Sequence, residues 1–262
     1  MSCSCCGTHA PTPTDTSGTA VTLSRPLVAV EGRLTCTDMG QMLMALDLLP
    51  RHVELSRAEP GCLRFDIAQA DDPLVWTLDE VFADEAAFAA HQARNADSQW
   101  GRDSQGISRD LHRHALHPLI RPELPSDQEG LDRLLTAAFG HAEEAQLLAD
   151  LRADGDLAVS LVAHVRGLPV GHAALAPLLD DRPGFSLASL AVHPALQGRG
   201  LGQALLAAVL AEAGERPVVV RGDAAFCARA GFQPLPARAR LMVRGDLPGG
   251  GPVIQAPAFA RL

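Results

Sequence analysis

The chain has 262 residues, of which 47% are hydrophobic, so it is long enough and apolar enough to form two globular domains. Its formal net charge is −9, which argues against nucleic acid as a main partner because an acidic surface repels phosphate polymers. Apolar runs fall short of the ~18 residues that a membrane span needs, and the N-terminus lacks the apolar core of a signal peptide. We therefore expect no membrane partner and a cytoplasmic location.

Residues 1–25 are rich in Ser, Thr, Pro and Gly and predict a disordered tail, because they offer little apolar surface to bury. Three of the six cysteines lie in this segment, at Cys3, Cys5 and Cys6, close to His9. These ligand types would suit a thiophilic metal such as Cu(I) or Zn. Their spacing lacks the paired Cys-x-x-Cys clamps of structural zinc, so the flexible tail is the interpretation adopted, and no metal is expected.

Residues 26–117 predict a domain with the element order β-α-β-β-α-β, which is the order of a ferredoxin-like fold. Glu59-Pro60-Gly61 ends the first helix. Pro50 lies inside that helix and is expected to kink or split it, because proline has no backbone N–H. The predicted elements are a strand at 27–37, a helix at 39–57, strands at 62–69 and 74–82, a helix at 84–94 and a strand at 107–116.

Part of this domain resembles the antibiotic biosynthesis monooxygenase (ABM) family. The segment Ser56-Arg-Ala-Glu-Pro-Gly-Cys-Leu-Arg-Phe-Asp66 contains the Glu-Pro-Gly-Cys turn that members share before the second strand, and residues 80–91 resemble the strand and helix that follow. The resemblance implies a dimeric α+β barrel, so we expect a homodimer formed through this domain. The candidates for chemistry here, by residue type alone, are Arg64, Trp76, His91 and Trp100.

Residues 118–262 predict a second domain of mixed strands and helices. Ser126-Asp-Gln-Glu129 has the pattern of a capping box at the start of a helix, and Arg166-Gly167 predicts a hairpin turn. The predicted elements are a strand at 119–122, helices at about 126–139 and 141–153, strands at 157–165, 168–178 and 185–192, a helix from 201 and a short buried strand at 217–221.

Three alternating glycines, at positions 198, 200 and 202, connect the strand that ends at Val192 to the helix that begins at Leu201. The first N–H groups of a helix have no partner within the helix, and the helix dipole adds positive charge there. Glycine allows a phosphate to approach the backbone closely. The spacing is neither that of a Gly-Lys-Ser/Thr loop nor Gly-x-Gly-x-x-Gly. The pattern predicts a site for a phosphate-bearing cofactor.

The segment Gln197-Gly-Arg-Gly-Leu-Gly202 is similar to the Q/R-x-x-G-x-G/A signature of the GNAT N-acetyltransferases. Leu190-Ala-Val-His-Pro194 resembles the end of that family's fourth strand, and Gly222–Phe232 resembles its "F-Y-x-x-x-G-F" segment. The resemblance implies a mixed, mostly antiparallel sheet and acetyl transfer from acetyl-CoA to an amine of a small molecule or peptide, in a direct ternary complex. The acetyl-CoA-binding residues that it implies are Leu190, Ala191, Val192, Gln197, Gly198, Arg199, Gly200, Leu201, Gly202 and Phe226.

Two residues are candidates for the proton transfers of this reaction. Many family members donate a proton from the tyrosine of the "F-Y" pair, but this chain has Phe226-Cys227 there and contains no tyrosine. Cys227 is the candidate acid, with a small packed residue as the alternative. His172 is the candidate general base, because imidazole accepts a proton near neutral pH, with a core histidine as the alternative. His193, beside Pro194, is interpreted as a strand-end residue without a catalytic role.

Two other functions fit the same sequence. In one, the ABM-like domain is a cofactor-independent monooxygenase acting on an aromatic or quinol substrate, and the GNAT-like domain senses acyl-CoA. The residues after His91 depart from the family's pattern, which counts against this activity. In the other, the protein is a non-catalytic binding protein whose Cys-rich tail reports metal or redox state. Residues 126–153, which face the acceptor in the GNAT fold, carry no pattern specific to one amine.

Overall fold

The computed structural model describes residues 15–179, 183–235, 241–247 and 253–261. Among these, Arg25–His117 form one compact unit, and Asp15–Ser24 join the residues from Pro118 onward in a second. Strand β1 (Thr19–Ala20) of the second unit lies inside the predicted tail, so that prediction extends too far, whereas Cys3, Cys5, Cys6 and His9 lie outside the described residues. None of the described helices is both long and apolar enough to cross a membrane.

The first unit is a four-stranded antiparallel sheet with helices packed on it, which confirms the predicted ferredoxin-like order. The strands lie in the order β3-β4-β2-β5 across the sheet. The elements are β2 (Leu27–Thr35), α1 (Met39–Arg57), β3 (Cys62–Gln69), β4 (Val75–Phe82), α2 (Glu85–Asp97), α3 (Gln99–Asp103) and β5 (Ser108–Leu116).

Helix α1 runs through Pro50 without a break, so the predicted split of this helix is wrong. Asp38 begins the helix by accepting a hydrogen bond from the N–H of Gln41, and the apolar residues Met42, Ala45 and Leu49 face the sheet. Packing of this apolar face stabilises the helix, which offsets the backbone hydrogen bond that a proline removes.

The second unit contains an eight-stranded mixed sheet in the order β1-β6-β7-β8-β9-β10-β12-β11. Strands β9 and β10 run parallel, whereas the other neighbouring pairs are antiparallel. The elements are β6 (Leu119–Pro122), α4 (Gln128–Phe139), α5 (Glu143–Asp154), β7 (Val159–Val165), β8 (Leu168–Pro177), β9 (Phe185–Val192), α6 (Leu201–Ala213), β10 (Val218–Arg221), α7 (Ala224–Ala228), β11 (Gln233–Pro234) and β12 (Leu241–Arg244).

Helices cover both faces of this sheet. Gly171 of β8 faces α6, since a Cβ at that position would lie 2.7 Å from the side chain of Leu205. The alternate residue Ala174 faces the other way and joins a buried cluster with Leu135 of α4 and Leu148 of α5. The sheet therefore separates α6 from the α4–α5 pair, and side chains that follow the parity of Ala174 point toward α4 and α5.

The predicted capping box at Ser126 is wrong. A short 3-10 turn (Pro125–Asp127) precedes α4, and the carboxylate of Asp127 accepts a hydrogen bond from the N–H of Leu124 at 2.7 Å. The same carboxylate binds the guanidinium of Arg121. This buried ion pair with β6 fixes the start of the helix in place of a local serine cap.

Gly32 sets a steric limit on the first unit. Its φ is +151°, and an added Cβ would lie 2.0 Å from the carbonyl oxygen of Asp110 on β5. We expect Gly32→Ala to lower the free energy of unfolding by about 2–4 kcal/mol, because a backbone atom cannot move aside cheaply. Both tryptophans of the chain, Trp76 and Trp100, lie in this unit, so denaturation followed by tryptophan fluorescence reports on it.

The matched control is Gly155→Ala in the second unit, where no heavy atom lies within 4 Å of an added Cβ. This change is expected to leave the tryptophan transition unaltered. Equal transitions for Gly32→Ala and the wild type would show that β2 and β5 are not held in the register described.

Candidate active site

Strands β9 and β10 pair for a short distance and then separate. In the described register, Val218 lies opposite Phe185 and Val219 opposite Ser186, with no further pairs between these strands. Just beyond this point, Ala188 of β9 is an extra residue relative to β8, because Leu187 and Ser189 face consecutive residues there. Such a bulge bends its strand and increases its twist. The two strands therefore open a cleft in the sheet.

A cavity of about 870 Å³ occupies this cleft. Strand β9 supplies one wall, the end of β10 with α7 supplies the other, and the glycine loop before α6 closes one end. Lining residues from outside these elements include Phe139 at the end of α4, His141, Glu143 and Glu144 at or just before the start of α5, and Gln255 and Phe259 near the C-terminus. The volume is in the usual range for a small-molecule or cofactor site.

The glycine loop presents bare backbone to the cavity. Gly198 and Gly200 have φ values of +71° and +96°, and no heavy atom lies within 4 Å of a Cβ built on either. Gly200 is the N-cap of α6 and provides no side-chain cap. The first N–H groups of α6 therefore have no acceptor within the helix and no side-chain cap from Gly200, and the helix dipole favours an anion there.

Gly202 has a different role from the other two glycines. A Cβ at Gly202 would lie 3.5 Å from the ring of Phe226 and 3.6 Å from the side chain of Val192. These are ordinary contact distances, so α6 lies against both walls of the cleft and a methyl group would fit at this position. Gln203, one residue further on, donates a hydrogen bond to the carbonyl oxygen of Phe226 at 3.4 Å and ties α6 to α7.

The structure brings most of the predicted cofactor residues to this cavity but not all of them. The lining residues among them are Leu190, Val192, Gln197, Gly198, Gly200, Gly202 and Phe226. Ala191 packs instead in the cluster with α4 and α5, Leu201 is fully buried, and the side chain of Arg199 is 6% exposed and does not line the cavity. Backbone groups of these three residues belong to the same strand and loop.

Cys227 lines the cavity next to Phe226 and is 3% exposed. It lies on α7, which begins where the carboxylate of Asp223 accepts a hydrogen bond from the N–H of Phe226 at 2.6 Å. Burial, and then the negative charge of Asp223, raises the pKa of the Cys227 thiol. The thiol is therefore protonated at neutral pH and holds a proton at the wall of the cavity.

His172 is fully buried and does not line the cavity. Both ring nitrogens have partners: Nδ1 lies 2.9 Å from Ser189 Oγ, and Nε2 lies 2.9 Å from Ser160 Oγ. Burial lowers the pKa of this imidazole, and the carboxylate of Glu123 opposes the shift. His172 meets the cavity through Ser189, which does line it.

Sequence reasoning missed Ser189, Ser160 and Glu123. Each serine lies in a largely apolar strand that contains one other polar residue, and only the register of the sheet places it on the face of His172. His193 lies at the end of β9, as predicted, where its Nδ1 accepts a hydrogen bond from the N–H of Ala195 at 3.3 Å.

The candidates of the first unit lie in its core or on its sheet. His91 is 2% exposed and pairs with Glu59 at 3.0 Å, which also binds Arg94 at 2.8 Å. Trp76 and Trp100 are buried in one apolar cluster. Arg64 forms ion pairs with Asp66 and Asp79 on the sheet. Glu80 lies buried nearby, and burial, followed by the charges of Glu59 and Asp79, raises its pKa to about 8.

Two family models match the chain in the order predicted. Residues 28–100 match the antibiotic biosynthesis monooxygenase domain, and residues 156–234 match the acetyltransferase (GNAT) domain. The class defined by the fold and the cleft is thus an acetyltransferase preceded by an ABM domain.

Individual relatives place the chain in a family. It is 38% identical over 122 residues to the uncharacterized N-acetyltransferase YhbS of Escherichia coli K12. This match covers 44% of this chain and 73% of that protein. It is 36% identical over 139 residues to the mycothiol acetyltransferase of Kineococcus radiotolerans, covering 49% and 45% of the two chains. The crystal structure of a GNAT acetyltransferase from Brucella melitensis in complex with acetyl-CoA matches with a TM-score of 0.50 and 31% identity, covering 55% of this chain and 98% of that one. The chain belongs to the GNAT family of N-acetyltransferases.

Proposed function

We propose that the protein transfers the acetyl group of acetyl-CoA to an amine of a small molecule or peptide, in a direct ternary complex. The observation that carries this proposal is the glycine loop, which opens onto the cleft between β9 and β10 with uncapped helix N–H groups. The fold and the acetyl-CoA complex of the Brucella relative support it. The first domain is proposed to serve assembly.

The residues at the cleft fit acetyl-CoA as cosubstrate. The loop from Gln197 to Gly202, including Arg199 and the start of the helix at Leu201, would hold the pyrophosphate on backbone N–H groups. The separated edge of β9 at Leu190, Ala191 and Val192 would hold the pantetheine arm as an added strand does, through main-chain hydrogen bonds. The ring of Phe226 would pack against the arm from the opposite wall. Acetyl-CoA supplies the activated acetyl group, and metal ions have no part in the proposed reaction.

Cys227 is proposed as the acid that protonates the departing thiolate. Its raised pKa keeps the thiol protonated, and Cys227 lines the cavity beside Phe226. An ordinary thiol donates a proton to another thiolate with little change in free energy, and the raised pKa of Cys227 makes this transfer less favourable. The help it gives is therefore modest.

Acidic side chains that line the cavity favour a cationic amine as acceptor. Glu143 and Glu144 line the cavity from the start of α5, and His141 lies 3.0 Å from Glu144. Glu143 is exposed and Glu144 is partly buried, and carboxylates at a cavity wall attract an ammonium group without requiring a fixed geometry. Primary diamines, polyamines and basic peptides are the acceptors to test first.

We also propose that the chain forms a homodimer through the ABM domain. Strand β5 is the last strand of its sheet and is exposed along nearly its whole length. An exposed edge of nine residues is a template for pairing with another strand.

The loss of acetyl-CoA binding in Gly200→Glu tests the cosubstrate. The open space beside Gly200 admits the side chain, which brings a negative charge to the pyrophosphate site, so we expect at least a 30-fold weaker Kd in calorimetric titration. The control is Gly155→Glu, which also has positive φ and open space but lies away from the cavity. Equal, tight binding by both variants would contradict the assignment of the loop, and no binding by folded wild type would contradict the proposed function.

The exchange of Cys227 tests the acid. We expect Cys227→Ala and Cys227→Ser each to lower kcat about tenfold with unchanged Kd for acetyl-CoA, because the thiolate leaves without much assistance. Serine preserves the volume but is a far weaker acid, so equal losses point to proton donation. Full activity of Cys227→Ala would assign the thiol to packing.

The exchange of one exposed leucine on β5 tests the dimer. Leu111 is 38% exposed, and we expect Leu111→Asp to convert a dimer into a monomer in sedimentation equilibrium, because it places a charge in the contact. Leu124→Asp, an exposed leucine of the second unit, is the control. A monomeric wild type at micromolar concentration would exclude this assembly.

A further inference from the structure

A row of polar side chains crosses the face of the second sheet that packs against α4 and α5. Ala174 of β8 lies opposite Ser160 of β7 on one side and opposite Ser189 of β9 on the other, so both serines share its face. His172 belongs to the same face, two residues before Ala174. Glu123 follows β6 and donates its N–H to the carbonyl oxygen of Ser160 at 3.0 Å. Three strands and the residue that follows a fourth thus contribute to one row.

The side chains of this row form a continuous chain of hydrogen bonds. Ser160 Oγ donates to Glu123 Oε2. His172 Nε2 lies 2.9 Å from Ser160 Oγ, and His172 Nδ1 lies 2.9 Å from Ser189 Oγ. Ser189 lines the cavity, and the other end of the chain is Glu123, whose side chain is 8% exposed.

The ionised carboxylate of Glu123 fixes the direction of every bond in the chain. A carboxylate only accepts, so the hydroxyl of Ser160 donates to it. The oxygen of Ser160 is then free to accept the Nε2–H of His172. A neutral imidazole carries one N–H, so its Nδ1 holds a lone pair and accepts the hydroxyl of Ser189. The oxygen of Ser189 consequently faces the cavity as an acceptor.

Neighbouring charges hold the two titratable groups in these states. Burial opposes ionisation of Glu123, but contacts with His172, Ser160 and Arg152 bring its pKa down to about 2. Arg152 of α5 forms the ion pair at 2.9 Å. Burial lowers the pKa of His172, Glu123 raises it, Arg152 lowers it and Asp127 raises it. Asp127 is itself paired with Arg121, which lies on the same face of the sheet as His172.

We infer that Ser189 accepts the proton of the acceptor amine and passes its own proton to His172, whose charged form Glu123 stabilises through Ser160. This inference rests on the proposed function, since the amine reacts in the cavity that Ser189 lines. Ser189 is the catalytic residue of the relay, and His172, Ser160 and Glu123 act through it. The arrangement has the logic of a Ser-His-acid triad in which a second serine links the imidazole to the carboxylate.

The proton balance of the step is simple. An ammonium acceptor first releases one proton to solvent, because only the neutral amine has a lone pair. This lone pair forms the new C–N bond as the C–S bond breaks, and the C–S electron pair leaves on the thiolate, which takes the proton of Cys227. Cys227 then regains its proton from solvent. The N–H becomes strongly acidic as this bond forms, so its proton moves to Ser189 Oγ while the hydroxyl proton of Ser189 moves to His172 Nδ1. His172 is then an imidazolium and returns the proton to solvent by the reverse path after the amide leaves. Ser189 ends as a hydroxyl and forms no covalent bond.

The first test needs no acceptor. In protein labelled with 15N-histidine, we expect the NMR signals of His172, assigned by comparison with His172→Gln, to show a neutral ring protonated on Nε2 at neutral pH. In Glu123→Gln the pKa of His172 should fall, because a raising charge is removed. A ring protonated on Nδ1 would reverse the chain and overturn the inference.

The second test uses the best acceptor found in a panel of primary diamines, polyamines and basic peptides. We expect Ser189→Ala to lower kcat about 100-fold with unchanged Kd for acetyl-CoA, in the range of a lost proton acceptor. Ser189→Thr, which retains the hydroxyl, should recover part of the rate. Ser186→Ala is the matched control, since Ser186 is a buried serine of the same strand that bonds to Gln255.

The pH profile separates a relay from a structural role. Activity at low pH is lost when His172 is protonated, so Glu123→Gln should move the acidic limb of kcat to lower pH as well as reduce the rate. The relay would be overturned if Glu123→Gln reduced kcat without moving the acidic limb of its pH profile, or if Ser189→Ala kept full activity. Acetylated Ser189 in the mass spectrum without amine would also overturn it, in favour of a covalent route.

If the wild type binds acetyl-CoA but acetylates no amine, the proposed function fails, and the protonation state of His172 decides whether the chain of hydrogen bonds has the inferred direction.

Discussion

The separation of β9 from β10 is the constraint on which the rest of the second unit depends. After the pairs at Phe185 and Ser186, the facing edges of both strands are left without each other's hydrogen bonds. Buried backbone groups require partners, so an opened sheet of this kind needs a ligand or water between its strands. The bulge at Ala188 creates the opening. The glycine loop then brings the start of α6 to one end of the cleft, and α7 brings Cys227 to its far wall.

Elements with a strong local signal were predictable. The apolar run from Phe185 to Val192 ends at His193-Pro194, and the helix from Leu201 carries apolar residues on its buried face, so both have the bounds expected. The start of α4 was not predictable in this way. Asp127 is held by Arg121, which is close in sequence but belongs to a different element, strand β6. A capping pattern read from Ser126 alone cannot compete with a buried ion pair.

Some residues of the candidate site were likewise predictable from local sequence, and others were not. A glycine loop before a helix works through its own backbone, so its residues are visible in the sequence. His172 was visible as a residue type, but its partners come from three other strands or strand ends and depend on register. Ser189 lies opposite Ala174 and so shares the face of His172, because the two strands pair in this register. The register depends on the partner strand and is not visible in the sequence of β9 alone, which is why the residue at the cavity wall was missed and the buried one was named.

The row from Glu123 to Ser189 contributes little to the stability of the second unit. Packing Glu123 and Arg152 as an ion pair gives little net stability, because desolvation offsets most of the attraction, and apolar residues of similar volume would serve the core as well. A neutral imidazole between two hydroxyls likewise gains little over an apolar group, yet each of these groups becomes costly if one partner is lost. The row is stable as a complete set that ends at the cavity. Such a set is expected where a proton must move, because the carboxylate at one end determines that the oxygen at the other end accepts.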